Sequence, residues 1–277
     1  MELYKTEYSQ TKGKGKLDKV LLNCEESNYY KLIEFLYISQ NNQALILKTL
    51  YDNKLNVVLK FGILEYIQTE YLISQELNDL PNFIRYYCKI ECNDNIKNII
   101  NNKETIMNYK MCHYGDDPVG ILVMKYYPLG CINDYEWNES NFNVLKNVIK
   151  QVIFAILYAY ETKGFLHNDL HCGNILLKER RNKEIKYRNK LLIIDDLEVL
   201  IMDFEKSKLN QVEKILELFR NINKFITSVT NSNNMKLNIF YDTSKLKKLK
   251  EELINENIIN YDLFELIIEE LVIENHF

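Results

Sequence analysis

The chain has 277 residues, 47% of them hydrophobic and 27% charged, the composition of a folded globular protein rather than a disordered or fibrous one. Its formal net charge of −4 gives no global basic field for nucleic acid or an anionic membrane. With only eight Gly and three Pro, helices and strands should dominate.

No apolar run is expected to reach membrane-spanning length, and MELYKTEYSQTKGKGKLDKV lacks the apolar core of a signal peptide. Cys24, Cys88, Cys92, Cys112, Cys131 and Cys172 form no C-x-x-C pair and no zinc-finger spacing, and read as scattered reduced thiols. The expectation is an intracellular, cytoplasmic or nuclear, monomer with no membrane or nucleic-acid partner.

In chain order, residues 1–28 are polar. Lys12, Lys14 and Lys16, spaced by Gly13 and Gly15, suggest a solvated tail or loop, with a small anionic docking patch as the other reading. From Tyr30, the runs YKLIEFLYIS, QALILKTLYD and NVVLKFGIL are separated by NNQ and NKLN, which predicts a three-strand antiparallel meander. EYIQTEYLISQELNDL, residues 65–80, has helical spacing of Ile67, Leu72, Ile73, Leu77 and Leu80. Residues 81–118 hold a polar, Asn-rich middle and read as a loop with one short helix. GILVMKYYPLG, residues 120–130, reads as a strand running into a Pro/Gly turn. NVLKNVIKQVIFAILYAYETKG predicts a helix capped by Gly164.

The stretch GFLHNDLHCGNILL, residues 164–177, carries the most specific signal. His167, Asp169 and Asn174 stand in the frame H-x-D followed five residues later by Asn, between a helix and a short strand at Ile175–Leu177. The spacing suits phosphoryl transfer. An aspartate must take or steer the proton of an attacking hydroxyl, and an asparagine must hold Mg²⁺ on the ATP phosphates. Next come a basic insertion, KERRNKEIKYRNK (residues 178–190), and LLIIDDLEVLIMDFEKS. Asp203, followed by Phe204 and Glu205, closes a strand as the second magnesium ligand should; Asp195-Asp196 is the competitor. Gln211–Val229 reads as an amphipathic helix, and 245–273 as mostly helical.

VVLK, the Glu70 helix, GILVMKYYPLG, HNDLHCGNILL and VLIMDFEKS together resemble the protein-kinase-like family over about residues 30–225. The nearest resemblance is to serine/threonine kinase-like proteins of large DNA viruses and to haspin-type kinases, which share D-L-H-x-G-N, an insertion before the metal-binding Asp and a missing A-P-E. The resemblance implies an α+β, bilobal fold with a small antiparallel-sheet N-lobe at residues 29–124. A reduced, truncated helical C-lobe would occupy residues 125–277.

By that resemblance Asp169 is the catalytic base, Asn174 and Asp203 hold Mg²⁺, and Lys60 anchors the ATP phosphates with Glu70 as its ion-pair partner. Lys48 is a decoy for Lys60. Met124 backs the adenine pocket, and Lys125, Tyr126 and Tyr127 offer backbone groups to adenine. His167 braces the loop, and His171 is structural. The implied activity is ATP- and Mg²⁺-dependent phosphorylation of Ser/Thr in a protein substrate. The alternatives are a choline- or aminoglycoside-type small-molecule kinase and a pseudokinase scaffold.

Three departures from the pattern bear on these expectations. Ile38–Ala44 lacks the G-x-G-x-x-G of the phosphate loop, and Glu205 replaces the Gly of D-F-G. Only Lys206–Asn210 separates D-F-E from the next helix, so no activation-loop phosphorylation is expected, with Ser207 as the one alternative phosphosite in that linker.

Overall fold

The computed structural model describes residues 6–8, 17–19, 30–38, 45–92, 113–114, 116–180, 183–188, 190–194, 196–231, 239–240, 244, 247, 250–251 and 259–273. Lys12, Lys14, Lys16, the chain between Ile38 and Leu45, the Asn-rich middle at 93–112 and Asp195 lie outside these. The chain forms two compact units, Met1–Leu72 with Arg85–Tyr126, and Ile73–Ile84 with Tyr127–Phe277.

In the first unit, β1 (Thr6–Tyr8) pairs antiparallel with β2 (Leu17–Lys19), so the segment expected to be a tail or loop carries a small strand pair. The expected meander is present as β3 (Tyr30–Ile38), β4 (Leu45–Tyr51) and β5 (Leu55–Ile63), followed directly by α1 (Leu64–Glu76). It belongs to a larger antiparallel sheet. β6 (Tyr86–Glu91) and β8 (Asp117–Lys125) extend it in the order β3-β4-β5-β8-β6, with β7 (His113–Tyr114) pairing β8. Strand β6, expected as loop, comes from YYCKIE, whose alternation buries Tyr86, Cys88 and Ile90 on one face.

The alternation of LILKTLY likewise buries Leu45, Leu47, Thr49 and Tyr51, which join Leu59, Phe61, Ile121 and Val123 in the sheet's core. Strand β8 lies between β5 and β6 and is buried at every position from Val119 to Met124, hence its unbroken apolar run. Helix α1 crosses closely at Gly120, where a Cβ would meet Ile67 Cγ2 at 2.8 Å. Cys88 and Cys92 are disulfide-bonded, which overturns the reduced-thiol expectation for those two; Cys131 and Cys172 are free.

The second unit is built around α2 (Phe142–Lys163). Its C-cap Gly164 has φ 59°, and its N–H donates to Tyr160 O at 2.8 Å. A Cβ there would come within 2.5 Å of the Gln211 backbone N, so the turn needs glycine for space as well as for φ. By length and composition the stretch Glu139–Lys163 can cross a membrane, contrary to the sequence expectation; 61% of its apolar window is buried inside the protein. Val148, Ile149, Val152, Ile153, Phe154, Ala155 and Ile156 face the interior from all sides, the pattern of a core helix apolar all round.

Strand β9 (Ile175–Glu179) pairs antiparallel with β12 (Leu197–Ile201). The basic insertion between them includes a second hairpin, β10 (Lys183–Tyr187) and β11 (Lys190–Ile194), in which Ile185, Tyr187, Leu192 and Ile194 are buried. Its charges had concealed a period of two. Beyond β12 come α3 (Ile215–Thr230), β13 (Ile239–Phe240), α4 (Tyr261–Glu269) and β14 (Val272–Ile273), with β13 and β14 paired.

A buried polar network ties the second unit together. Asn82 Nδ2 donates to Val199 O at 2.9 Å and to Gln151 Oε1 at 3.3 Å, while Tyr187 Oη–H donates to Asn82 Oδ1. Gln151 Oε1 also accepts from Val199 N–H at 3.0 Å, and its Nε2 donates to Leu197 O at 2.7 Å. Residues of the 82–84 segment, α2, β10 and β12 thus satisfy one another where no water reaches, which fixes where β12 ends and Asp203 begins.

Candidate active site

In the first unit, antiparallel pairing sets Lys60 opposite Ile46 on β4 and Leu122 on β8, on the sheet face away from Leu59 and Phe61. Its Nζ donates to Glu70 Oε2 at 2.7 Å, and the Glu70 side chain is 1% exposed. Tyr86 Oη–H donates to the other oxygen of Glu70. Lys48 shares the face of Lys60 but pairs with Glu34 at 3.7 Å and lies 4.1 Å above the Tyr126 ring. Of the two candidate lysines, Glu70 therefore engages Lys60.

Met124 is buried beside Val58 in the register. Lys125 ends β8 opposite Val57, and the Tyr126 N–H donates to Asn56 O at 3.3 Å, so that donor is committed within the sheet. Tyr127 opens the longer segment of the second unit, and its carbonyl accepts from Gly130 N–H at 3.2 Å.

In the second unit, the turn after Gly164 brings His167, Asp169 and Asn174 together. His167 is fully buried; its Nε2 lies 3.0 Å from Met202 O, and its Nδ1 accepts from Asp169 N–H at 3.3 Å. This pattern specifies the neutral Nε2–H tautomer, with the imidazole bracing the loop against the end of β12. Asn174 Nδ2 donates to Asp169 O at 3.0 Å, which orients the amide and leaves Oδ1 as the atom for a cation. Met202 N–H donates to Asn174 O at 2.9 Å, so backbone bonds hold the Asn174 and Asp203 segments side by side.

Asp203 adopts φ 68°, a left-handed conformation that Asp tolerates better than most residues, and Phe204 beyond it is fully buried. The Phe204 ring packs on Phe83, Phe165 and His167, with centroids 5.9–6.2 Å apart. Glu205 is exposed and outside the positive-φ residues, so the missing glycine causes no backbone strain there.

Burial lowers the His167 pKa from the ordinary 6.5 to about 4, against opposing contributions from the Met202 carbonyl and the Asp203 charge. The unfolded chain binds this proton near pH 6.5, so the stability tied to neutral His167 is complete above that pH and lost as pH falls towards 4. The expected loss is about 3 kcal/mol in urea unfolding between those limits, and it should vanish in His167→Gln. A pH dependence identical in wild type and variant would refute this.

Two lysines complete the site. Lys206 Nζ donates to Asp169 Oδ2 at 2.7 Å, and Lys224 of α3 donates to Asp169 Oδ1. Burial raises the Asp169 pKa, but the two ammonium groups prevail and hold it down at about 2. Lys206 adjoins D-F-E and could have been suspected from its position; Lys224 lies 55 residues from Asp169 and carried no local signal. Ser207 cannot act as an open phosphosite as it stands. It is 6% exposed, and its Oγ donates to His167 O at 3.0 Å.

Among the described residues, no group of three or more His, Cys, Asp or Glu is placed to hold a metal ion. Asn174 with Asp203 is the sparser, oxygen-donor kind of set that suits Mg²⁺, an ion that keeps waters and takes its other ligands from phosphates.

Residues 119–237 match the family described as the ABC1 atypical kinase-like domain. A stretch of 101 residues, 32% of the chain, is 31% identical to a probable serine/threonine-protein kinase of Dictyostelium discoideum and spans 8% of that protein's length. With the antiparallel sheet and helices described above, these matches support a kinase-like domain of α+β construction.

Proposed function

We propose that this protein is a Mg·ATP-dependent phosphotransferase acting on Ser/Thr hydroxyls of proteins. Asp169 steers the acceptor hydroxyl and takes its proton. Asn174 and Asp203 hold Mg²⁺, which supplies charge neutralisation on the phosphates when bound. Lys60, held by Glu70, anchors the α- and β-phosphates, and Met124 with the Lys125–Tyr127 backbone receives adenine. The D-L-H-x-G-N loop supports a haspin-like or viral-type affinity within the kinase-like group.

The observation that carries the reading is the Lys60–Glu70 pair, closed at 2.7 Å around a carboxylate 1% exposed. A buried ion pair at best breaks even for stability, so its presence favours a lysine with a second task over a binding scaffold. The clamp on Asp169 favours the second reading, a nucleotide-binding pseudokinase, because both carboxylate oxygens are already engaged.

Incubation with γ-labelled ATP, Mg²⁺ and a panel of protein, choline and aminoglycoside acceptors distinguishes the readings. Label on protein Ser/Thr is expected. Label on the small molecules, or nucleotide binding without any transfer, would refute the proposal.

A further inference from the structure

We propose that Lys206 and Lys224 form the cation pair that receives the γ-phosphoryl group during transfer. This inference rests on the phosphotransfer reading of the same site. From Leu170 to Asn174 the loop contains no Lys or Arg, so the positive charge next to Asp169 must come from elsewhere.

The fold brings it from two directions and fixes both. Asn221, Lys224 and Ser228 share one face of α3 by their spacing of three and four. Asn221 Oδ1 accepts from Asn168 N–H at 2.5 Å, and Ser228 Oγ accepts from Cys172 N–H at 3.1 Å. Lys224 is thereby held over the stretch between Asn168 and Cys172, where it meets Asp169. On the other side Lys206 O accepts from Asn168 Nδ2 at 2.9 Å, which ties the second lysine's backbone to the residue before Asp169.

The Lys206 and Lys224 side chains are 62% and 51% exposed, against 22% for Asp169. Exposed pairs of this kind add little to folding, so stability is a poor reason for two of them on one carboxylate. A phosphoryl group is a better one. In the step itself the acceptor oxygen bonds to the γ-phosphorus as the bond to the ADP oxygen breaks. The bonding pair leaves with ADP, and the hydroxyl proton passes to Asp169. Charge spreads over the three equatorial oxygens, where two ammonium groups can turn from the carboxylate to meet it. The same movement frees the Asp169 oxygens for the acceptor.

The test compares Mg·ATP and Mg·ADP affinity by calorimetry, alongside turnover, in Lys206→Met, Lys224→Met and the exposed control Lys208→Met. Wild type should prefer ATP. Each of the first two variants should lose that preference, keep ADP affinity and fall about 10²-fold in kcat, while Lys208→Met stays unchanged. In unaltered protein, ATP but not ADP should protect Lys206 and Lys224 from acetylation by acetic anhydride, a readout that needs no variant to fold. An intact ATP preference in the variants, equal protection by both nucleotides, or faster turnover without either lysine would overturn the inference and leave the phosphotransfer reading standing. Wild type that binds neither nucleotide would overturn both.

Discussion

Asp169→Asn is expected to lower phosphotransfer by about 10²–10⁴-fold with Mg·ATP affinity nearly unchanged. The carboxylate acts on the acceptor hydroxyl and not on the nucleotide, so its loss should appear in kcat. The substitution is close to isosteric, and the Asp169 side chain is not deeply buried, so the fold should persist. Its consequence for Lys206 and Lys224 sharpens the test. Both lose their carboxylate partner, and ATP binding should therefore hold steady or tighten. Single-turnover rates and nucleotide calorimetry on the same preparations check both halves. A rate within a few-fold of wild type would remove Asp169 from the chemistry.

Lys60→Met is expected to abolish transfer and to destabilise the protein by about 3–5 kcal/mol, since it leaves Glu70 charged in a buried site without its ammonium. Lys60→Met with Glu70→Gln removes that buried charge and should regain much of the stability. Activity should not return, because the phosphate anchor is still missing. The double variant thus separates a structural ion pair from a functional one by urea unfolding and rate measurement. Recovery of activity together with stability would make the pair a packing device and remove Lys60 from the phosphate site. Lys48→Met is the companion control: its partners are Glu34 and the Tyr126 ring, so transfer should survive.

Wherever neighbouring residues carry the information, the sequence by itself was sufficient. Apolar runs and turn residues marked β3, β4 and β5; a helical stripe ending in glycine marked α2 and its cap; and H-x-D with Asn five residues on marked the loop. These are short-range signals, set by backbone conformation and by the periods of strand and helix.

The tertiary structure decided what depended on distant partners. Whether Lys48 or Lys60 meets Glu70 follows from strand register and the direction of α1, which no tetrapeptide encodes. Strands β6, β10 and β11 sit among Asn, Lys and Arg, and their alternation became meaningful once a sheet or a helix covered one face. Ser207 looked like an accessible hydroxyl in a lysine-flanked linker until backbone bonds between Leu166 and Lys208 drew it inward. The disulfides at Cys88 and Cys92 could not be inferred from spacing. Lys206 and Lys224 reach Asp169 across 37 and 55 residues, and only the packing of α3 on the loop makes them part of its chemistry. Charge acts through space, so the residue types of the site were legible along the chain while its electrostatics required the fold.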